Sequence, residues 1–126
     1  MPRLKVSEIR AFIPARNFVL SKQFYSALGC EVKDVDPRMA LVTLGTCHFY
    51  IQDHYLKEVA ENSMLHVTVD DAQAWHDHVS AVLQEAGFEH ARVQLPKRQH
   101  YGALVTFVHD PCGVLLHLCQ WDGPKR

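Results

Sequence analysis

Gly45-Thr46-Cys47-His48-Phe49-Tyr50-Ile51-Gln52 has a counterpart near the other end of the chain, Gly113-Val114-Leu115-Leu116-His117-Leu118-Cys119-Gln120. Both stretches open on glycine, pass through strand-forming residues and close on glutamine. A second echo precedes each: Leu28-Gly29-Cys30-Glu31 lies over Ala86-Gly87-Phe88-Glu89. A repeat of one supersecondary unit therefore has to be weighed before any motif, since missing it misreads the whole fold.

Outward from these anchors the hydrophobic period gives the same element order twice. Residues 6–14 alternate, with Ile9, Ala11 and Ile13 on one face and Glu8, Arg10 and Phe12 on the other, which predicts a strand. Asn17 is placed to cap a helix over about 18–28, where Leu20, Phe24 and Leu28 recur at helical spacing and Gly29 closes it. Three strands are predicted at 31–36, 39–44 and 47–52, broken by Asp36-Pro37 and Gly45-Thr46. Residues 53–63 read as a polar linker with one helical turn at most.

The order then restarts. Residues 65–69 alternate as a strand, with His66 and Thr68 opposite Leu65, Val67 and Val69. Asp70 or Asp71 caps the next helix, Gln73 standing three residues after Asp70 as in a capping box. Trp75, Val79, Val82, Leu83 and Ala86 form its apolar stripe, and Gly87 ends it. Strands at 91–94, 103–109 and 114–119 follow, the last two joined by the turn Asp110-Pro111-Cys112-Gly113. Each half is strand, helix, three strands.

The 126 residues fall just below the roughly 150 expected of one domain, so a single domain over 1–126 is predicted, with modules at about 5–52 and 64–121. An apolar share of 48% and a charged share of 21% suit a chain that builds its own core and exclude disorder, collagen and coiled coil. Thirteen basic against 14 acidic residues leave a net charge of −1, without the basic field that nucleic acid requires. The first ten residues lack a signal-peptide core and no 18-residue apolar run exists, so no membrane partner and a cytoplasmic location are expected. Cys30, Cys47, Cys112 and Cys119 show no CxxC spacing and read as reduced, structural thiols.

Three segments together resemble the vicinal oxygen chelate superfamily, which includes glyoxalase I, extradiol dioxygenases, fosfomycin-modifying enzymes and bleomycin-binding resistance proteins. They are Ser21-Lys22-Gln23-Phe24-Tyr25-Ser26-Ala27-Leu28-Gly29, Met64-Leu65-His66-Val67-Thr68-Val69-Asp70-Asp71, and Asp110-Pro111-Cys112-Gly113-Val114-Leu115-Leu116-His117. The resemblance covers nearly the whole chain. It implies an α+β fold of two βαβββ modules forming a cupped mixed sheet with helices outside, and a homodimer in which modules of two chains can share a cup.

Enzymes of that superfamily hold a divalent metal through side chains on the first, fourth, fifth and eighth strands. Carried over residue by residue, those positions are Arg10, Phe49, His66 and His117. A guanidinium has no lone pair and Phe49 supplies only area, so the resemblance implies an incomplete metal site and no cofactor. The alternative is a divalent ion held by Glu8, His66 and His117, since two imidazoles and a carboxylate form a sound triad and Glu8 shares the Arg10 face.

The other histidines read blandly. His76 and His78 lie two apart on a helix and do not face one another, so both are expected at the surface. His48, His54, His90, His100 and His109 have no partner at ligand spacing. Aromatics suggest a lining: Phe12 beside Arg10, Phe49, Tyr101 before the seventh strand, and Trp121 in phase with His117, with Thr68 in phase with His66. The predicted function is binding of a small anionic or polar-headed organic ligand by Arg10, Phe12, Phe49, His66, Thr68, Tyr101, His117 and Trp121. A cation in the cup argues against simple capture of a cationic drug of the bleomycin kind. Two rival readings remain: a metal-dependent lyase, isomerase or dioxygenase, and a protein-interaction module whose cup is vestigial.

Overall fold

Both halves build a sheet on one plan, the second with one strand more. In a computed structural model, which describes residues 4–124, the first half runs β1 (Phe12–Pro14), α1 (Phe18–Ala27), β2 (Glu31–Asp36), β3 (Met39–Leu44) and β4 (Cys47–Gln52). A short helix α2 (Lys57–Glu61) leads into β5 (Met64–Thr68), α3 (Ala72–Ala86), β6 (Arg92–Val93), β7 (Lys97–Gln99), β8 (Ala103–His109) and β9 (Leu115–Trp121). The strand orders are β1-β4-β3-β2 and β5-β9-β8-β6, with β7 also paired to β8. In each module the strand before the long helix lies parallel to the last strand, and the remaining neighbours are antiparallel. The fold is α+β with two mixed sheets, as predicted.

The helices are fixed by their ends. Asn17 Oδ1 accepts the Leu20 N–H at 3.0 Å at the start of α1. Asp71 Oδ1 accepts the Ala74 N–H at 2.9 Å at the start of α3, satisfying an amide that has no partner inside the helix. With Asp71 as the cap, Gln73 falls too early to reach back, so the predicted capping box does not form and Gln73 bonds Asp77 instead. Gly87 ends α3 with φ 57°, a left-handed turn that glycine adopts without strain.

Each long helix covers one face of its sheet, and the covered sides share one core that includes Ile13, Phe24, Tyr25, Val42, Ile51, Val79, Val108, Leu116 and Leu118. Three contacts bind the modules there. The Tyr25 hydroxyl donates to Asp110 Oδ2 at 2.7 Å, and Asp110 Oδ1 accepts the Cys112 and Val114 N–H groups at 2.8 and 3.0 Å. Burial pushes both the Asp110 carboxyl and the Tyr25 hydroxyl up from their ordinary values, although the Tyr25 hydrogen bond opposes the shift at Asp110. His78 donates a ring N–H to the Leu28 carbonyl at 2.8 Å, and the Phe24 ring meets Phe88 edge-on at 5.5 Å. His78 thus joins the two modules, whereas a purely solvated role was expected.

Two predicted strands change length and one appears unannounced. The first is only Phe12–Pro14, not 6–14. Phe12 opposes Tyr50 and Pro14 opposes Gln52, and the Ala11 carbonyl accepts the Tyr50 amide at 2.9 Å, but the ladder with β4 does not continue before Phe12 among the described residues. Ile9, expected inside, is 87% exposed. The strand predicted at 91–94 shrinks to Arg92–Val93, and β7 arises from Lys97-Arg98-Gln99, a polar edge strand that hydrophobic alternation cannot reveal. All four cysteines are free, three of them buried. Burial raises the Cys30 thiol to about 11 and raises those of Cys112 and Cys119, which keeps them protonated and unreactive. Among the described residues no helix is long and apolar enough to cross a membrane.

Candidate functional site

Alternation along each strand sends one set of side chains to the core and leaves the other on an open sheet face. In the second module the core set is Leu65, Val67, Leu116 and Leu118. The open set is therefore Met64, His66 and Thr68 from β5, and His117, Cys119 and Trp121 from β9. His66 and His117 are direct partners across the parallel pair. His66 stacks on Trp121 with ring centroids 5.6 Å apart and planes 30° apart. Trp121 Nε1–H points at Thr68 Oγ1 at 3.4 Å, and the Tyr101 ring leans on Trp121 at 5.6 Å.

Below these rings Ala103, Val105 and Cys119 form a small buried floor. Phe107, two residues beyond Val105 on β8, stands edge-on to His117 at 5.0 Å. His117 Nε2 faces the Met64 sulfur at 3.4 Å. Burial, and then neighbouring His66, push the His117 imidazole below its ordinary value, so the neutral ring is favoured. Phe107 was not foreseen, although its parity with Ala103 and Val105 was available as a signal.

The open face of the first module is built around Tyr50. Phe12 stacks on it at 5.0 Å with planes 22° apart. Arg10 Nη1 donates to the Tyr50 hydroxyl at 2.6 Å, Nη2 donates to Glu8 Oε2 at 2.9 Å, and the guanidinium lies 5.4 Å from the Tyr50 ring centre. The hydrogen bond from Arg10 holds the Glu8 carboxyl below its usual range, and the bonds to Glu8 and Tyr50 hold the Arg10 proton still more firmly. His48, expected to be uninvolved, bonds Thr43 Oγ1 through Nδ1 at 2.9 Å and turns Nε2 toward Glu8 at 3.8 Å.

Phe49 corrects the sequence reading. It meets Tyr25 edge-on at 5.3 Å and packs against the core, not on the open face. The reason is turn length. Leu44 opposes Cys47 across a two-residue turn, whereas His109 opposes Leu115 across five residues. Laying Gly45–Gln52 over Gly113–Gln120 without a gap therefore slips the register by one, and a one-residue slip exchanges the two faces of a strand. Register instead makes Phe12 and Tyr50 the equivalents of His66 and His117.

Arg10, Phe12 and Tyr50 keep their hydrogen bonds and ring contacts within the first module, and His66 and His117 keep theirs within the second. One chain does not bring Arg10 to the histidines. Nor does it bring Glu8 to them, since Glu8 is engaged by Arg10 and His48. Among the described residues no three His, Cys, Asp or Glu side chains cluster as a metal site. Within one chain His66 and His117 pair with each other, while Glu8, Arg10, Phe12 and Tyr50 stay on the face of the first module.

No family model matches the sequence, and no curated protein matches it. Solved structures do. The bleomycin resistance determinant encoded on transposon Tn5 superposes with a TM-score of 0.79 at 23% identity, over 94% of this chain and 100% of that one. The bleomycin-binding protein from bleomycin-producing Streptomyces verticillus, complexed with copper(II)-bleomycin, gives 0.78 at 21% identity over 97% and 100%. Lactoylglutathione lyase from Agrobacterium tumefaciens gives 0.63 at 15% identity over 92% and 95%. The chain therefore has the fold shared by bleomycin-resistance and glyoxalase-like proteins. That fold carries both drug binding and catalysis among these neighbours, so function has to be argued from the residues.

Proposed function

We propose that the chain, a single domain over 1–126, is a metal-free small-molecule-binding protein that works as a cytoplasmic homodimer. In this reading the aromatic open face of one protomer's second module closes over the Arg10–Tyr50 face of its partner's first module. The observation that carries it is the ring cluster of His66, Trp121, Tyr101, His117 and Phe107, a set of stacked, tilted and edge-on rings with polar edges of the kind that binds organic rings. Drug binding by fold neighbours supports the same class of ligand.

The dimer rests on surface that one chain leaves uncovered. Leu4, Val6, Ile9, Phe12 and Met64 are all more than half exposed. The chain exposes 8148 Å², against about 6,800 Å² for a compact monomer of this mass. Two-fold pairing is the commonest way to cover such a surface.

The ligand in this reading is an organic molecule with a planar ring and an anionic or polar head. The ring stacks on the Trp121 platform and the head takes the guanidinium fork of Arg10 in exchange for Glu8. A second reading is favoured by the same ion pair: Glu8 is 2.9 Å from Arg10 and leaves that face near neutrality, so a cationic head could take Glu8 instead. A thermal-shift screen of matched aryl carboxylates, amides and amines decides. Carboxylates should give the largest shifts, and Arg10→Met should weaken them by about 1.5–3 kcal/mol, the range for a hydrogen bond to a charged group. Amines ahead of carboxylates would assign the head-group site to Glu8. Equal shifts for all three would leave only a generic apolar platform.

A further inference from the structure

A cleft of about 500 Å³ opens where the ends of the two modules meet, lined by Arg16, Tyr55, Lys57, Arg92, His109 and Cys112 among others. It shares no lining residue with either open face. Arg16 comes from the β1–α1 loop, Tyr55 from the segment entering α2, Lys57 from the first position of α2, Arg92 and His109 from paired positions on β6 and β8, and Cys112 from the β8–β9 turn. The fold thus gathers residues distant in sequence around one hollow between modules, a common location for small-molecule sites.

We propose that this cleft binds a phosphomonoester of a small organic molecule, its phosphoryl oxygens held by Arg16, Lys57 and Arg92. Three permanent cations face a single lining carboxylate, Glu61, and Lys57 approaches it only to 3.9 Å in a strongly exposed pair. Exposed pairs of that kind neutralise little, so the lysine stays available to an anion. The positive field is local, because the chain as a whole carries a net charge of −1. That combination selects a compact anion over a nucleic-acid polymer, which needs a continuous basic track.

Two features of the hollow support an anion there. His109 lies beside Arg92 across the strand pair, and its Nδ1 is buried with no hydrogen-bond partner among the described residues. Burial and the Arg92 charge both push its proton off, a cost that a bound dianion would reverse. His90 on the rim has φ 64°, a left-handed conformation uncommon for a side chain other than glycine, and such outliers gather at binding sites. The organic body follows from size and lining. A volume of this order accommodates a drug-sized molecule rather than a bare ion, and the Tyr55 ring, Pro111 and the Cys112 thiol supply its apolar wall. Arg16 already lies over the Tyr55 ring at 5.5 Å, which holds the guanidinium at the hollow.

Calorimetric titration of the full chain with phenyl phosphate, inorganic phosphate and benzyl alcohol at one low ionic strength tests the site. Phenyl phosphate should bind saturably and more tightly than either inorganic phosphate or benzyl alcohol. Arg92→Gln and Lys57→Gln should each weaken phenyl phosphate by about tenfold, the loss of one charge-assisted hydrogen bond. In an Arg10→Met background, where the anion site of the open face is removed, phenyl phosphate should still bind this cleft saturably and should still lose about tenfold with Arg92→Gln or Lys57→Gln, which separates this site from the open faces. Lys57 is strongly exposed, so Lys57→Gln keeps the test decisive if Arg92→Gln fails to fold. Amide shifts should map to residues 90–92 and 109–113. Absence of saturation, equal binding of the alcohol, full affinity in both glutamine variants, or loss of binding in Arg10→Met would overturn the assignment. Inorganic phosphate binding as tightly as the ester would overturn the organic body of the ligand.

Discussion

Phe12 and Tyr50 in the first module stand where His66 and His117 stand in the second, yet one pair is a stacked phenyl and phenol under an Arg10–Glu8 ion pair and the other is two imidazoles beneath a tryptophan. The backbone around them follows one plan: a strand, a capped helix, and strands returning the last beside the first, with the added edge strand β7 in the second module. The two modules share what holds the fold, the apolar residues facing the core, and differ where side chains face outward. The covered sides remain interchangeable in kind, Ile51 in one and Leu118 in the other. The open sides differ: one carries the Arg10–Glu8 ion pair beside the Phe12–Tyr50 stack, the other a cluster of rings around Trp121.

The largest effect should come from cutting what the modules share. Asp110→Ala removes the acceptor of the Tyr25 hydroxyl and of two backbone amides, all buried. It should cost about 3–5 kcal/mol, the range for breaking a buried hydrogen-bonded charged group, read as a drop in the urea midpoint. A loss under about 1 kcal/mol would mean the modules are not locked through this contact.

Next, Phe49 and Tyr50 test which face each residue serves. Phe49→Ala should lower stability by about 3 kcal/mol through lost core packing and leave aryl carboxylate affinity unchanged. Tyr50→Phe should do the reverse, costing little stability and weakening the ligand by releasing Arg10. Exchanged outcomes would restore Phe49 to the open face and break the register argument.

On the second module, Trp121→Ala should weaken an aryl carboxylate by about 2 kcal/mol, as expected for a central aromatic anchor, measured by titration in the same buffer. If affinity survives, the aromatic half contributes no binding and the contrast between the faces is only decorative.

The smallest effect is a pH dependence. His117 is held below its ordinary value of 6.5 by burial and by His66, so the unfolded chain binds the proton more readily than the folded one. Its contribution to stability is complete above pH 6.5 and is lost as pH falls through that value toward the lower folded-state one. Urea midpoints measured from about pH 7.5 down to 5 should therefore fall less steeply in His117→Gln than in wild type. His109 titrates with the same sign, so the difference between the two proteins carries the information. Parallel curves would mean His117 is freely solvated.

Much of this molecule was written in local pattern. Period, caps and turn residues placed α1, the three strands of the first hairpins and α3 within a residue or two, and the repeat followed from two glycine-anchored echoes. These are properties of neighbouring residues, and neighbours suffice to set period and capping. The phase of His66, Thr68, His117 and Trp121 was legible for the same reason, each lying between leucines and valines that must go inside. Three things were decided only in three dimensions. The side on which Phe49 falls depends on a turn length that no alternation within one strand contains. Strand β7 exists because an edge of β8 is free to pair, not because Lys97-Arg98-Gln99 favours it. The meeting of Arg16, Lys57, Arg92 and His109 in one cleft joins loops from both modules. It is set by how two complete sheets pack through Tyr25 and Asp110, a non-local contact that the sequence encodes only through the whole core.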